Sequence, residues 1–200
     1  MTNQIEANKS SKSNLLWIGI VVAVVILAAA VIGVNSFVSP ASSPAGDTAV
    51  AVNGLEPAPI AGRPAPDFTL KTLGGQKVSL SDFAGRPVII NFWATWCGPC
   101  RIEMPHLQSA FVNNQADGVV VLGVNLTQRD SVGEIPAFLE EFGLTFPIVL
   151  DEKGEVANTY KVFGQPASIF VGKDGTIQQV FYGPVNEEFI NDRIEELLAS

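Results

Sequence analysis

Cys97 and Cys100 stand where an apolar run meets a helix-patterned segment, and this junction limits the possible folds more than any other stretch. They are the only cysteines in 200 residues. Val88-Ile89-Ile90 before them reads as a buried strand, and Met104, Leu107 and Phe111 after them recur at helical spacing. A strand therefore hands over to a helix at the cysteine pair. N–H groups in the first helical turn lack intrahelical partners, and the summed peptide dipoles place roughly half a positive charge there. A free thiol ionises at about 8.5, whereas a Cys-X-X-Cys pair at such a position falls to about 3.5–7.5. Cys97 is thus expected to be partly thiolate near neutral pH. Pro99 suits the first turn because its missing N–H would have had no partner, and Gly98 leaves room for an incoming sulfur. Cys100, one turn on, faces Cys97. Cys97 is assigned as the attacking sulfur and Cys100 as the resolving thiol.

Other readings of the pair are weaker. Half of a zinc site would need two further ligands, and beyond the pair the chain offers no cysteine and one histidine, His106. A structural disulfide closing so short a loop removes little unfolded-state entropy. Two inert buried thiols conflict with the exposure expected at Gly98-Pro99.

Phe92-Trp93-Ala94-Thr95-Trp96-Cys97-Gly98-Pro99-Cys100 resembles the active-site signature of the thioredoxin superfamily. Arg101-Ile102-Glu103-Met104-Pro105 is similar to the membrane-anchored TlpA/ResA/CcmG branch, with its glutamate three residues after the second cysteine and a nearby proline. The similarity runs from about Ala65 to the C-terminus. It implies that Pro166 is cis and lies against the cysteine pair, with Gln165 offering backbone hydrogen bonds to an extended substrate. Thioredoxin carries a buried aspartate where this chain has Asn91, which cannot accept a proton from Cys100. Glu103, one turn beyond Cys100, is the candidate for that role, against the alternative of a solvated helix-face carboxylate. Trp96 is expected to touch a partner at the rim, Trp93 to pack, and His106 to be a surface or packing residue. No cofactor and no metal are expected.

The elements around the motif agree with this layout. Phe68-Thr69-Leu70 and Lys77-Val78-Ser79-Leu80 flank Gly74-Gly75 as a hairpin. A strand over Pro87–Phe92 leads to the motif helix over Pro99–Asn114, with a kink expected at Pro105. Val119–Asn125 reads as a strand covered on both faces. Ser131–Glu134 has the spacing of a capping box for a helix to Phe142. Pro147–Leu150 is a short strand, and Gly154–Tyr160 a short helix. Lys173-Asp174-Gly175 turns a hairpin between Ala167–Val171 and Thr176–Phe181, and Asn186 caps a last helix through Leu198. The expected fold is α/β and thioredoxin-like: a central mixed sheet flanked by helices, with an N-terminal hairpin and a central αβ insertion over 131–160. This domain covers 66–200.

Leu15–Val34 is apolar at almost every position, and no charge occurs between Ser13 and Gly46. Twenty helical residues span about 30 Å, the thickness of a bilayer core. A removed signal has an apolar core of about 7–15 residues, so an uncleaved transmembrane anchor over 15–38 is favoured, with Ser39-Pro40-Ala41 keeping cleavage open. Lys9 and Lys12 precede the span and Asp47 and Glu56 follow it, which places residues 1–14 in the cytoplasm and the catalytic domain outside the cell membrane. Residues 39–65, rich in Pro, Ala and Ser, read as a tether.

A net charge of −8 with no basic cluster argues against nucleic-acid binding. The expectation is a membrane-anchored thiol-disulfide oxidoreductase. The Gly-Pro pair resembles reducing members, poised near about −270 mV, more than oxidants near about −120 mV. The resemblance implies that it reduces disulfides of exported proteins, with cytochrome c apoprotein thiols as one substrate class, and that a membrane electron carrier re-reduces it. Two alternatives stand beside this. A peroxide-reducing redoxin shares the Pro66-Asp67-Phe68-Thr69-Leu70 opening but sets its cysteine in a Pro-X-X-X-Thr-X-X-Cys context that Cys97 lacks. A non-catalytic binding module on the same fold is disfavoured by the intact pair.

Overall fold

The computed structural model describes residues 54–199. The stretch 15–38, expected to be a membrane anchor, and most of the tether lie outside them. Among the described residues no helix is long and apolar enough to cross a membrane.

The two longest of the strands buried at every residue are β3 (Val88–Trp93) and β4 (Val120–Asn125). Both are apolar enough to be covered on both faces, and they pair in parallel at the centre of the sheet. Around them run β1 (Thr69–Lys71), β2 (Lys77–Ser79), β5 (Ile148–Leu150), β6 (Ala167–Val171) and β7 (Ile177–Tyr182), in the order β2-β1-β5-β4-β3-β6-β7. The hairpins β1–β2 and β6–β7 are antiparallel, as their turn residues indicate, and β6 pairs antiparallel with β3. The helices are α1 (Gly98–Asn114), α2 (Ile135–Phe142), α3 (Glu155–Thr159) and α4 (Glu187–Ala199). The expected central unit is α2, β5 and α3. Its strand β5 is seated between β4 and the N-terminal hairpin, bonding in parallel to the first and antiparallel to the second.

Side chains alternate across each strand, so the sheet has two cores. Ile89 and Trp93 meet Met104 and Leu107 of α1 and Ile190, Ile194 and Leu197 of α4. Ile90 and Phe92 meet Leu122, Val124 and Tyr160 on the other face. The first face is crowded at Gly123. A Cβ there would lie 2.5 Å from Ile148 Cδ1, 3.0 Å from Phe146 Cε2 and 3.1 Å from the Trp93 indole nitrogen. The Ile148 methyl can swing aside, but two buried rings cannot. Gly123→Ala is expected to cost about 1–3 kcal/mol as overpacking. That lowers the thermal midpoint by about 2–4 °C per kcal/mol. An unchanged midpoint in a calorimetric scan would show that the rings yield freely.

Two local expectations are altered. Ser131 makes no capping bond with its side chain, and Val132–Glu134 forms a 3-10 turn before α2. Both halves of the box are taken: the Glu134 N–H that the Ser131 hydroxyl would accept donates to Ser131 O at 3.0 Å, and the Asp130 carboxylate accepts the Ser131 N–H at 2.9 Å. Finally, residues 58–65, read from their prolines as the end of the tether, are bonded to the sheet. Gly62 N–H donates to Ile177 O (2.8 Å), Ile177 N–H to Arg63 O (2.9 Å) and Ala65 N–H to Gly175 O (2.9 Å), with Pro64 bridging Thr176. Asn186 caps α4 as expected, its Oδ1 accepting from Phe189 N–H at 2.9 Å.

Candidate active site

Cys97 is the N-cap of α1, and Cys100 sits in its first turn. The two are joined in a disulfide with their Cα atoms 5.2 Å apart. Cys97 Sγ also accepts the Cys100 N–H at 3.1 Å, so one of the orphan donors at the helix start points at the sulfur. The same bond would stabilise a thiolate there. Gly98 and Pro99 are exposed, as their types suggest. The sulfurs lie deeper than expected from that pair: Cys97 is 4% exposed and Cys100 not at all. Of the two, only Cys97 has any exposed surface.

Glu103 is fully buried, which removes the solvated-carboxylate alternative. Its Oε1 accepts from Asn91 Nδ2 at 2.8 Å and its Oε2 from Val185 N–H at 3.0 Å. Burial pushes its pKa up to about 7, and the hydrogen bonds from Asn91 and Val185 only partly offset that. A group one turn from Cys100 is thereby poised to hold or release a proton near neutrality. Asn91 Nδ2 also donates to Ser168 Oγ at 3.1 Å. The position where thioredoxin keeps an acid thus serves here to orient one.

The Gln165–Pro166 peptide is cis. Strand register sets Phe92 opposite Ala167, which puts Pro166 beside Trp93 at the cysteine end of the sheet. Pro166 is buried and Gln165 half-buried. Trp96 is 58% exposed, and its indole N–H donates to Arg129 O at 2.8 Å. Trp93 is buried and stacked on Phe138, and His106 is half-buried on α1. Among the described residues, no group of three or more His, Cys, Asp or Glu side chains is placed to hold a metal ion.

One residue of this site was not singled out from the sequence. Asp130, in the connection from β4 to α2, accepts Thr95 N–H at 2.7 Å and Thr95 Oγ1–H at 2.5 Å, as well as Asn125 Nδ2–H at 2.8 Å. Burial works to raise its pKa. The bonds from Thr95, Asn125 and Ser131 outweigh it and hold the carboxyl below the usual range. A groove of about 400 Å³ opens beside the pair, with Trp96, Arg129, Asp130, Glu134 and Phe138 in its wall.

Residues 61–180, more than half of the chain, match the AhpC/TSA family. The chain belongs to that family. Within it, the chain is 38% identical to thiol-disulfide oxidoreductase ResA of Geobacillus kaustophilus, over 68% of this chain and 77% of that one. It is 40% identical to the thioredoxin-like protein YneN of Bacillus subtilis, over 67% and 78%. The crystal structure of StoA from Bacillus subtilis superposes with a TM-score of 0.58 at 33% identity, covering 66% of this chain and 97% of StoA. The fold of this AhpC/TSA member is thioredoxin-like, and with its cysteine pair the protein is a thiol-disulfide oxidoreductase.

With Cys97 as the proposed attacking sulfur and Cys100 as the proposed resolving thiol, the geometry allows the following exchange in the reducing direction. Reduced Cys97, as thiolate, attacks one sulfur of a partner disulfide; a mixed disulfide forms and the partner's other sulfur leaves as a thiolate that takes a proton. Cys100 then gives up its proton and attacks Cys97 Sγ. The Cys97–Cys100 bond forms, the partner's second sulfur leaves, and two electrons have passed to the partner.

Proposed function

We propose that the protein is a membrane-anchored reductant of disulfides in exported proteins, working through Cys97 and Cys100 with Glu103 as the proton-handling group. The observation that carries this is the Cys97–Cys100 pair at the start of α1 with Glu103 buried one turn behind it. The Gly98-Pro99 pair supports the reducing direction by its resemblance to reducing thioredoxin-like sites. Single-pass anchoring through residues 15–38, with the N-terminus cytoplasmic and the domain outside, rests on the apolar run and the lysines that precede it. Cytochrome c apoprotein thiols are the proposed substrate class, by likeness to the TlpA/ResA/CcmG branch. A membrane electron carrier returns the pair to the dithiol. Trp96, Gln165 and Pro166 form the proposed substrate contact.

The full chain in detergent, reduced beforehand, is expected to reduce insulin disulfides and to leave hydrogen peroxide essentially unconsumed. The AhpC/TSA membership makes the peroxide arm the sharper one. Peroxide turnover that outpaces insulin reduction would overturn the proposal in favour of a peroxide reductase, and inactivity in both would favour a binding module.

A further inference from the structure

Three residues, Ala94 to Trp96, bridge β3 to α1 and set where Cys97 stands. Ala94 closes a turn through its carbonyl, which accepts Cys97 N–H at 3.2 Å. Thr95 gives both its N–H and its hydroxyl to the Asp130 carboxylate, and Trp96 gives its indole N–H to Arg129 O. The 129–130 segment thus holds the two bridge residues next to the attacking cysteine. Asp130 is itself held by Asn125 at the end of β4, and buried Asn125 takes the Thr127 hydroxyl on its Oδ1 at 2.9 Å. Every member of this network is satisfied, so it is stiff.

Its importance differs between the two redox states. In the disulfide, Cys97 is tied covalently to Cys100. When that bond opens, only backbone turns and the bonds to the bridge keep Cys97 Sγ in front of the Cys100 N–H. We infer that Asp130 is a positioning residue: by gripping Thr95 it keeps Cys97 at the head of α1 in the reduced form, where its thiolate is stabilised and its attack is aimed. The inference rests on the exchange chemistry above. It also reaches past that chemistry, because it assigns a role in the reaction to the β4–α2 connection.

Position and charge can be separated by choice of variant. Thr95→Val keeps the Asp130 charge and cuts one of the two bonds to the bridge, whereas Thr95→Ser restores the hydroxyl. The readout is iodoacetamide alkylation of Cys97 in the reduced full chain across pH, with the thermal midpoint of the oxidised form as the folding control. Thr95→Val is expected to raise the apparent Cys97 pKa and slow alkylation at pH 7 by about fivefold, since a bond to a charged group is worth a tenfold effect or more when fully expressed. Thr95→Ser should return to near the wild-type profile, and Asp130→Ala should shift it further in the same direction as Thr95→Val. A wild-type profile for Thr95→Val would overturn the inference. So would a lower Cys97 pKa in Asp130→Ala, which would show a bare charge effect. Absence of insulin reduction by the wild-type protein would instead strike the proposed function, and the alkylation profile is read independently of it.

Discussion

Glu103→Gln is expected to slow thiol-disulfide exchange at pH 7 by about 100-fold, the lower end of what a positioned acid or base contributes. It should also flatten the dependence of stability on pH. The sign follows from linkage. Glu103 is raised from 4.5 to about 7 in the folded protein, so between those values the folded chain holds a proton that the unfolded chain has lost. Stability from this group is therefore greatest below about pH 4.5 and falls as pH rises to about 7, a difference of about 3 kcal/mol. Glutamine does not titrate, so the fall disappears. The variant also loses something: one carbonyl oxygen replaces two carboxylate oxygens facing the Asn91 amide and the Val185 N–H, and leaving a buried donor unpaired costs about 1–3 kcal/mol. Near pH 8, where Glu103 is ionised, the two effects nearly cancel; at pH 5 the wild-type group is a neutral acid that burial no longer penalises, whereas the variant's amide N–H2 still faces the Asn91 or Val185 donor, so the variant is the less stable protein. Urea unfolding at pH 5, 6, 7 and 8, beside the rate of insulin reduction, checks both halves. A variant with the wild-type slope and rate would remove Glu103 from the chemistry.

Cys100→Ser is expected to abolish turnover while leaving Cys97 able to attack. The variant keeps its backbone N–H, so the 3.1 Å bond to Cys97 Sγ remains available to the thiolate. A serine hydroxyl cannot complete the exchange, and the mixed disulfide accumulates. Non-reducing electrophoresis and mass spectrometry of adducts formed in cells would then identify the natural partners. Cys97→Ser should trap little, because Cys100 has no exposed surface. Equal trapping by both variants would mean that the assigned order of attack is wrong.

Much of this was legible from local patterns. The strand before the cysteines, the helix after them and both hairpins rest on short-range signals: period-two alternation, continuous apolar runs, and glycines at turns. Cys97, Cys100 and Pro166 followed from the motif and its resemblance. The depth of Glu103 was not legible. It lies on a helix whose polar and apolar residues are poorly segregated, and its carboxylate is bonded by Asn91 on the preceding strand and by Val185, 82 residues away. Asp130 was missed for a related reason. One aspartate in a polar loop carries no motif, and its partner Thr95 is 35 residues away. The capping-box reading of Ser131 failed at the same spot, since a carboxylate one residue earlier took the backbone N–H that a local rule assigns to the helix start. Likewise, the place of β5 between β4 and the first hairpin depends on non-local pairing that no local window contains.

The bonds between residues 58–65 and the β6–β7 turn have a mechanical consequence. Val171 pairs with Val88 and Ala167 with Phe92, so that turn and the cysteine pair occupy opposite poles of the sheet, about 20 Å apart along a six-residue strand. Any pull on the chain from its N-terminal side is thus received at the pole remote from the sulfurs and carried by β7. A label attached at Gly62 or Arg63 would therefore sit at the pole away from the sulfurs.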